Sequence, residues 1–523
     1  MMNRLFHLIA LIGASACAWA QTADSTAVVV EEEVLVADTV PAEDAPATVK
    51  LHPYEYFALA QAGVASGEHN PFWLVANRFG LASIDKTNGY IRAGLIRHLD
   101  PNPRFSWGFG VDLAGAFNYT SKFVVQQLYG EVRYRSLNLT LGSKQWTNGV
   151  VDPALSSGDM LFSANARPIP QVRLEMPDWQ WIPYTKQWAA VRGYFSFGHF
   201  TDSRWERNRC RPVDQTYAEH RLFHSKGLFV RGGNPDRFPL IFEGGLEMGC
   251  EFGGTAYAWS PVTNKYEIVK FPKGIKEWIK AVIPMGGGDS NDPNQAGEIS
   301  NVYGNHAGQW SAALSWQPKD AGWSARLYYE HFFEDHSMMF FDHVWKDMLL
   351  GVQVNLPANP LVTSVVYEYI NTRDQSGAVY WDWTPEVPDQ ISGADDYYNN
   401  PNFGNWQQWG MGMGNPLLLS PIYNTNGSLL FMHNRIKGHH LALRGTPHRD
   451  LDYRVLLTYT RSWGTYRYPV RNMRHNFNGL VELTYRPHQL KGWAACLGVG
   501  ADGGNLLGGS FGAQLTICKT GWF

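Results

Sequence analysis

Phe511-Gly512-Ala513-Gln514-Leu515-Thr516-Ile517-Cys518-Lys519-Thr520-Gly521-Trp522-Phe523 is the stretch whose reading decides the fold. Every second residue gives Phe511, Ala513, Leu515 and Ile517, then Lys519, Gly521 and Phe523. The residues between are Gly512, Gln514, Thr516, Cys518, Thr520 and Trp522. A period of two marks a strand with one apolar face and one more polar face. An aromatic strand ending on Trp522-Phe523 is expected to pair with the first strand and close a barrel. Closure removes the unpaired edge, and only helices or closed barrels cross a bilayer. The terminal aromatics would then sit in an interfacial girdle. The competing reading of this segment alone is the edge strand of a soluble β-sandwich.

Composition favours the barrel. Aromatic residues make up 14 % of the 523, with 21 tryptophans and 52 glycines, while charged residues reach only 17 %, against roughly 25 % in ordinary soluble domains. A mean hydropathy of −0.29 and the lack of a long apolar run past the N-terminal segment argue against membrane helices. A net charge of −3 gives no sign of nucleic-acid binding.

Residues 1–20 read as a secretory signal. Arg4 supplies the positive charge, Leu5 to Ala16 the apolar core and Ala18-Trp19-Ala20 the cleavage site. Lipid attachment at Cys17, after Ala14-Ser15-Ala16, is the weaker alternative because a large aliphatic residue is missing there. Residues 21–50 carry Asp24, Glu31, Glu32, Glu33, Asp38, Glu43 and Asp44 against the single base Lys50, and are expected to form a disordered acidic linker. Val28-Val29-Val30 and Val34-Leu35-Val36 could still pair with a partner strand. Residues 51–523 form the barrel. Cys210, Cys250, Cys496 and Cys518 lack metal-type spacing. Cys496 and Cys518 could be neighbours and form a disulfide, but free buried thiols are the preferred reading.

The expected strands come in series. Phe105, Trp107, Phe109, Val111, Leu113, Gly115, Phe117 and Tyr119 alternate with small and polar residues. Next, 124–135 places Val124, Leu128, Val132 and Tyr134 on one face and Gln127, Glu131, Arg133 and Arg135 on the other. A charge facing lipid at mid-depth costs about 2–4 kcal/mol, so that second face must look into the lumen. Leu137, Leu139 and Leu141 continue the pattern. Further strands are expected at 189–200, 227–233, 240–252, 307–317, 323–332, 348–356, 361–371, 428–436, 439–446, 452–461, 476–486 and 491–501. The fold class is therefore all-β, a transmembrane outer-membrane barrel of 16–18 antiparallel strands. Short turns such as Gln317 to Gly322 and Arg486 to Gln489 alternate with long inserts at 145–188, 201–226 and 372–427. Glu68 to Gly80 reads as a packed loop or short helix. Ile275, Trp278, Ile279 and Val282 have helical spacing and suit a surface helix or a plug helix.

Two inserts could carry binding chemistry. In 372–427, Trp381, Trp383, Trp406 and Trp409 could stack on sugar rings, while Asp395 and Asp396 take hydroxyls. The plainer reading is that these aromatics pack a long loop into a lid. In 201–226, Arg204, Arg207 and Arg209 could hold anionic glycan or lipopolysaccharide phosphate, since guanidinium binds such groups bidentately. Interleaved Asp202, Glu206, Asp214 and Glu219 make an internal salt-bridge network the blander alternative. Glu330-His331 and His439-His440 are expected to split between opposite faces of their strands. No catalytic, metal or cofactor motif is present.

Several blocks resemble the Wzi family of capsule assembly proteins. They are Asn70-Pro71-Phe72-Trp73-Leu74 with Ala76 to Gly80, Phe223 to Arg231, Tyr329 to Ser337, Tyr367 to Gly377, Asn399-Asn400 through Trp409 to Pro416, and His433-Asn434-Arg435 with His439-His440. They cover nearly the whole chain after Leu51. The resemblance implies eighteen strands, helical elements plugging the periplasmic side, and a lectin-like, non-enzymatic role that holds capsular polysaccharide at the cell surface. The acidic segment 21–50 departs from that family. The expected partners are capsular or other surface polysaccharide, outer-membrane lipid and lipopolysaccharide, and the barrel-assembly machinery. An open porin for sugars or other solutes is the alternative.

Overall fold

The computed structural model describes residues 53–101, 104–283, 303–334, 346–357, 359–375, 395–400 and 402–523. The proposed signal, the acidic linker, Trp381 and Trp383 lie outside the described residues. Eighteen antiparallel strands form one sheet. In chain order they are Tyr54–Gly67 (β1), Thr87–Arg97 (β2), Phe105–Phe117 (β3), Phe123–Tyr134 (β4), Leu137–Ser143 (β5) and Gln171–Trp181 (β6). Ala189–His199 (β7), Leu222–Gly232 (β8), Leu240–Phe252 (β9), Asn305–Trp316 (β10), Ser324–Glu334 (β11) and Met348–Asn355 (β12) follow. Ser364–Asn371 (β13), Ile436–His448 (β14), Leu451–Gly464 (β15), Pro469–Tyr485 (β16), Trp493–Gly504 (β17) and Ser510–Trp522 (β18) complete the wall. β18 pairs with β1 from Glu55↔Trp522 to Gly67↔Ser510, which closes the cylinder. Tyr54 and Phe523 stack beside that seam, with ring centroids 5.4 Å apart.

Alternation decides what each face meets. Ile91, Leu128, Leu141, Leu228, Leu457 and Leu515 stand exposed on the outside. On the inner side Ser106, Asp112, Gln127, Glu131, Arg173 and Glu247 are buried. An outer band that is apolar between two levels of aromatics meets the requirement for lipid contact. The fold is that of an outer-membrane β-barrel.

Some local expectations need correction. A bulge between Asp112 and Leu113 of β3 and their partners on β4 shifts the parity, so Val124 is buried inside rather than lipid-facing with Leu128. The first two strands were not anticipated, because β1 presents Ala58, Ala60 and Ala62 outward and offers little hydropathic contrast. β6 lies within the supposed insert 145–188, and β8 begins within 201–226. The segment 428–435 is not strand; β14 begins at Ile436. The four described cysteines are buried thiols that form no disulfide among the described residues, with Cys496 opposite Thr516 and Cys518 opposite Ala494. His439 faces out towards Tyr367, while His440 reaches inward to the Leu155 carbonyl at 2.7 Å, as alternation requires.

The ends of the barrel are unlike. The end that carries the seam aromatics has short connections, such as 135–136 and 449–450. The opposite end carries the long inserts 68–86, 144–170, 200–221, 253–304 and 372–435. Short turns face the periplasm and long loops the exterior in such barrels. Parts of three inserts turn back into the lumen and share one apolar core with the inner wall. That core joins the helix Phe72–Val75 (α1), Leu155 to Phe162, and Tyr398 to Phe431 to Tyr328, Phe332, Ala442 and Leu480 of the wall. The block Glu68 to Gly80 is thus the packed loop and short helix expected, but it plugs from the long-loop end and not from the periplasmic side that the resemblance implied.

These plug segments have little regular structure, so their backbone N–H groups need acceptors from elsewhere. Wall carboxylates supply them. Ser157 N donates to Glu368 Oε2 at 2.7 Å, Met160 N to Glu330 Oε2 at 2.9 Å and Phe72 N to Asp502 Oδ2 at 2.8 Å. Lower in the lumen Glu482 takes Arg78 at 2.9 Å and Arg454 at 2.8 Å. Between plug and wall, Trp73, Asn77, Arg78, Pro153, Ala154 and Arg454 line a cavity of about 10 Å³, room for about one water.

Candidate functional site at the long-loop mouth

The helix Ser203–Cys210 (α2) lies over the mouth and is held from below by one base. Arg221 is buried and contacts three carboxylates: Glu206 at 2.6 Å, Glu251 at 2.7 Å and Asp202 at 3.2 Å. Gln407 Nε2 donates to Glu206 at 2.7 Å, and Ala218 N donates to the other Glu206 oxygen at 3.0 Å. Burial pushes the Glu206 carboxyl well above the usual carboxylate range, and Asp202 and Glu251 act in the same direction against the pull of Arg221. One guanidinium among three acids cannot neutralise them all, so Glu206 keeps its proton into a higher pH range. Burial alone would lower the Arg221 pKa, but its carboxylates raise it.

The arginine run divides. Arg207 pairs with Glu219, and Arg209 clamps the turn Pro421–Tyr423 by donating to the carbonyls of Pro421 at 3.1 Å and Asn424 at 2.6 Å. The internal network, the blander reading of this stretch, accounts for Arg207 and Arg221. Arg204 stands exposed on the outer face of α2. Arg209 is half-buried, and burial lowers its pKa.

The tryptophans divide too. Trp406 is completely buried; its Nε1 donates to the Leu161 carbonyl at 3.0 Å, and its ring packs against Phe162 and Phe223. A Cβ at Gly249 would stand 2.6 Å from that ring, so the wall has been emptied to admit it. Trp406 is therefore a plug residue that no sugar ring can reach. Trp409 is half-buried at the mouth, with Nε1 on Thr201 Oγ1 at 3.0 Å. The Arg167 guanidinium lies 4.4 Å from the centroid of its ring, and Trp205 lies 6.5 Å away. Burial lowers the Arg167 pKa to about 10, a change that leaves it cationic at neutral pH.

Asp396 accepts from Asn399 Nδ2 at 2.9 Å and Asn434 Nδ2 at 2.6 Å, and so braces the loop. The Asp395 N–H donates to the Gln375 carbonyl at 3.2 Å. Thus Trp409 and Arg209 converge around Trp205, while Trp406, Asp396 and Arg207 serve the framework. The sequence reading missed Trp205, Arg167 and Thr201. Trp205 sits between Arg204 and Arg207, and an aromatic inside a basic run was the available signal. Nothing in the pattern around Arg167 tied it to a tryptophan far along the chain.

No family model and no curated protein matches the chain. Solved structures do. One is Wzi, an outer membrane protein involved in group 1 capsule assembly in Escherichia coli and described as a carbohydrate-binding beta-barrel. The similarity is 10 % identity over 88 % of this chain and 83 % of that one, with a TM-score of 0.53. OccAB4 of Acinetobacter baumannii is similar at 10 % identity over 90 % and 98 % of the two chains, with a TM-score of 0.43. OprD of Pseudomonas aeruginosa matches at 10 % over 89 % and 94 %, with 0.42. At such identity the likeness shows the fold alone, that of an outer-membrane barrel.

Proposed function

We propose that this protein is a plugged outer-membrane barrel that binds surface polysaccharide at its long-loop mouth and helps retain it on the cell. The observation that carries the reading is the lumen itself. Apolar side chains of the inserts are buried against the inner wall, and wall carboxylates hold the backbone of those inserts. A transported solute would have to displace that core, whereas a ligand bound at the mouth would not. At the mouth, Trp409 and Trp205 present partly exposed rings beside the exposed Thr201, with the Arg167 guanidinium against Trp409 and that of Arg209 near Trp205. Aromatic faces beside hydrogen-bond donors suit sugars, which present C–H edges and hydroxyls together. The role is binding and not catalysis.

Two measurements test this. In planar bilayers the purified barrel should pass no steady current, while deleting residues 145–168 should open a conducting path. A steady current through the intact chain would favour a porin. Replacing Trp205 and Trp409 by alanine together should leave the barrel folded and release surface polysaccharide from cells. Unchanged retention would remove this face from the reading.

A further inference from the structure

The outer face of the barrel carries a second charged feature, at the long-loop end of β13–β16. Cross-strand register puts Lys437 of β14 opposite Arg461 of β15, and Arg461 opposite His475 of β16. Parity places all of them on the lipid-facing side. Their neighbours Ile436, Thr460, Ser462 and Asn476 are buried in the lumen. One register step nearer the membrane centre stands a row of rings: Tyr369, His439, Tyr459 and Phe477, each opposite the next. The step after that is Tyr367, Leu441 and Leu457. The cations therefore lie just outside an aromatic girdle, at the depth of lipid headgroups.

Like charges directly opposite on neighbouring strands destabilise a sheet. Among the described residues neither Lys437 nor Arg461 has a carboxylate in ion-pair contact, and Arg461 Nε is shut away from solvent without an acceptor. Arg373 and Arg461 lie 4.7 and 5.9 Å from the ring of Trp463, so the positive charge continues above the row. The nearby Asp374 accepts from Asn371 Nδ2 at 3.3 Å and, among the described residues, forms no ion pair with the row. On β1–β4 and β18 the long-loop end of the outer wall presents Val64, Ile91, Phe117, Phe123 and Phe511 instead.

We propose that Lys437 and Arg461, flanked by His475 and Arg373, form a site for the phosphate of a phosphorylated glycolipid in the outer leaflet. A lipid rather than a soluble anion is the occupant because the row faces the bilayer and continues downward into aromatic and then aliphatic surface. Acyl chains would lie against Leu441 and Leu457 while the phosphate meets the cations. The site is independent of the sugar-binding mouth.

Equilibrium binding of labelled diphosphorylated lipid A to the full-length barrel in detergent tests this. The variant carrying Lys437→Gln and Arg461→Gln should lose at least tenfold in affinity, with its strand circular dichroism unchanged. Lys122→Gln, on the rim of another sector, should bind as the parent does. Phosphate-free lipid A should bind parent and double variant equally weakly. Glucosamine phosphate without acyl chains should fail to compete at concentrations where the lipid saturates. Full affinity in the double variant, or equal binding of the phosphate-free lipid by the parent, would overturn the site. Competition by the soluble sugar phosphate as strong as by the lipid would overturn its assignment to a lipid.

Discussion

Two groups of basic residues in this barrel solve opposite problems. Inside, Arg221 is surrounded by Asp202, Glu206 and Glu251 and is sealed from water. Outside, Lys437 and Arg461 face one another with no carboxylate in contact among the described residues. The interior carries an excess of acid that a retained proton and the backbone N–H groups of the plug offset. The exterior pair has two bases and no carboxylate in ion-pair contact among the described residues. Charge inside the lumen is therefore part of how the plug is held, and charge on the outer wall is, on the proposal above, part of how the barrel meets a lipid phosphate.

The largest effect should come from breaking the interior group. Arg221→Met leaves three carboxylates buried without their cation, and such a loss costs about 3–5 kcal/mol. The variant should show a markedly lower thermal midpoint in detergent, or fail to accumulate. Adding Glu206→Gln to Arg221→Met should recover part of the loss. A midpoint equal to that of the parent would mean that the plug does not depend on this group.

Next in size is the contrast between the two tryptophans of one insert. Trp406→Ala empties a filled volume, and large-to-small changes of an aromatic cost about 3–5 kcal/mol. Trp409→Ala removes a half-buried ring from the mouth and should cost about 1 kcal/mol, the centre of the range for point mutants. Thermal midpoints of the two variants should differ in that order. A reversal would put Trp409 in the core and take it away from the binding face.

A subtler consequence concerns pH. Burial raises the Glu206 pKa above its unfolded value of 4.5. The folded chain thus holds a proton that the unfolded chain has released, and stability falls as pH climbs from that value towards the folded pKa. Glu206→Gln should flatten this part of the profile, so parent and variant midpoints should converge at low pH and separate as pH rises. Parallel profiles would assign the excess proton to another acid of the group.

Much of this architecture was legible in the alternation. The last strand, the lumen-facing Gln127, Glu131 and Arg133, and the split of His439 from His440 follow from a period of two. β1 was hidden because alanines on its outer face weaken the contrast. Val124 was misplaced because a bulge is one residue of irregularity that no periodicity announces. The site was less legible still. Trp406 and Trp409 have the same local composition, and what separates them is a glycine on a distant strand, Gly249, which makes room for one ring only. The acids interleaved with the arginines did foretell the salt bridges of Arg207 and Arg221. The row Lys437, Arg461 and His475 could not be read at all before the register was known, because it exists only across strands.

The smallest expected effect bears most directly on the contrast between inside and outside. A single Lys437→Gln change removes one of two opposed cations, and cross-strand pairs of this kind are worth about 0.2–1 kcal/mol. In a neutral detergent, with no anionic lipid present, the variant should be more stable than the parent by a few tenths of a kcal/mol. Added diphosphorylated lipid A should then raise the parent midpoint above that of the variant, because a ligand stabilises the state that binds it. The reversal of order is the telling result. An interior pair such as Arg221 with Glu206 already has its partner, and no added lipid should change the rank of variants made there.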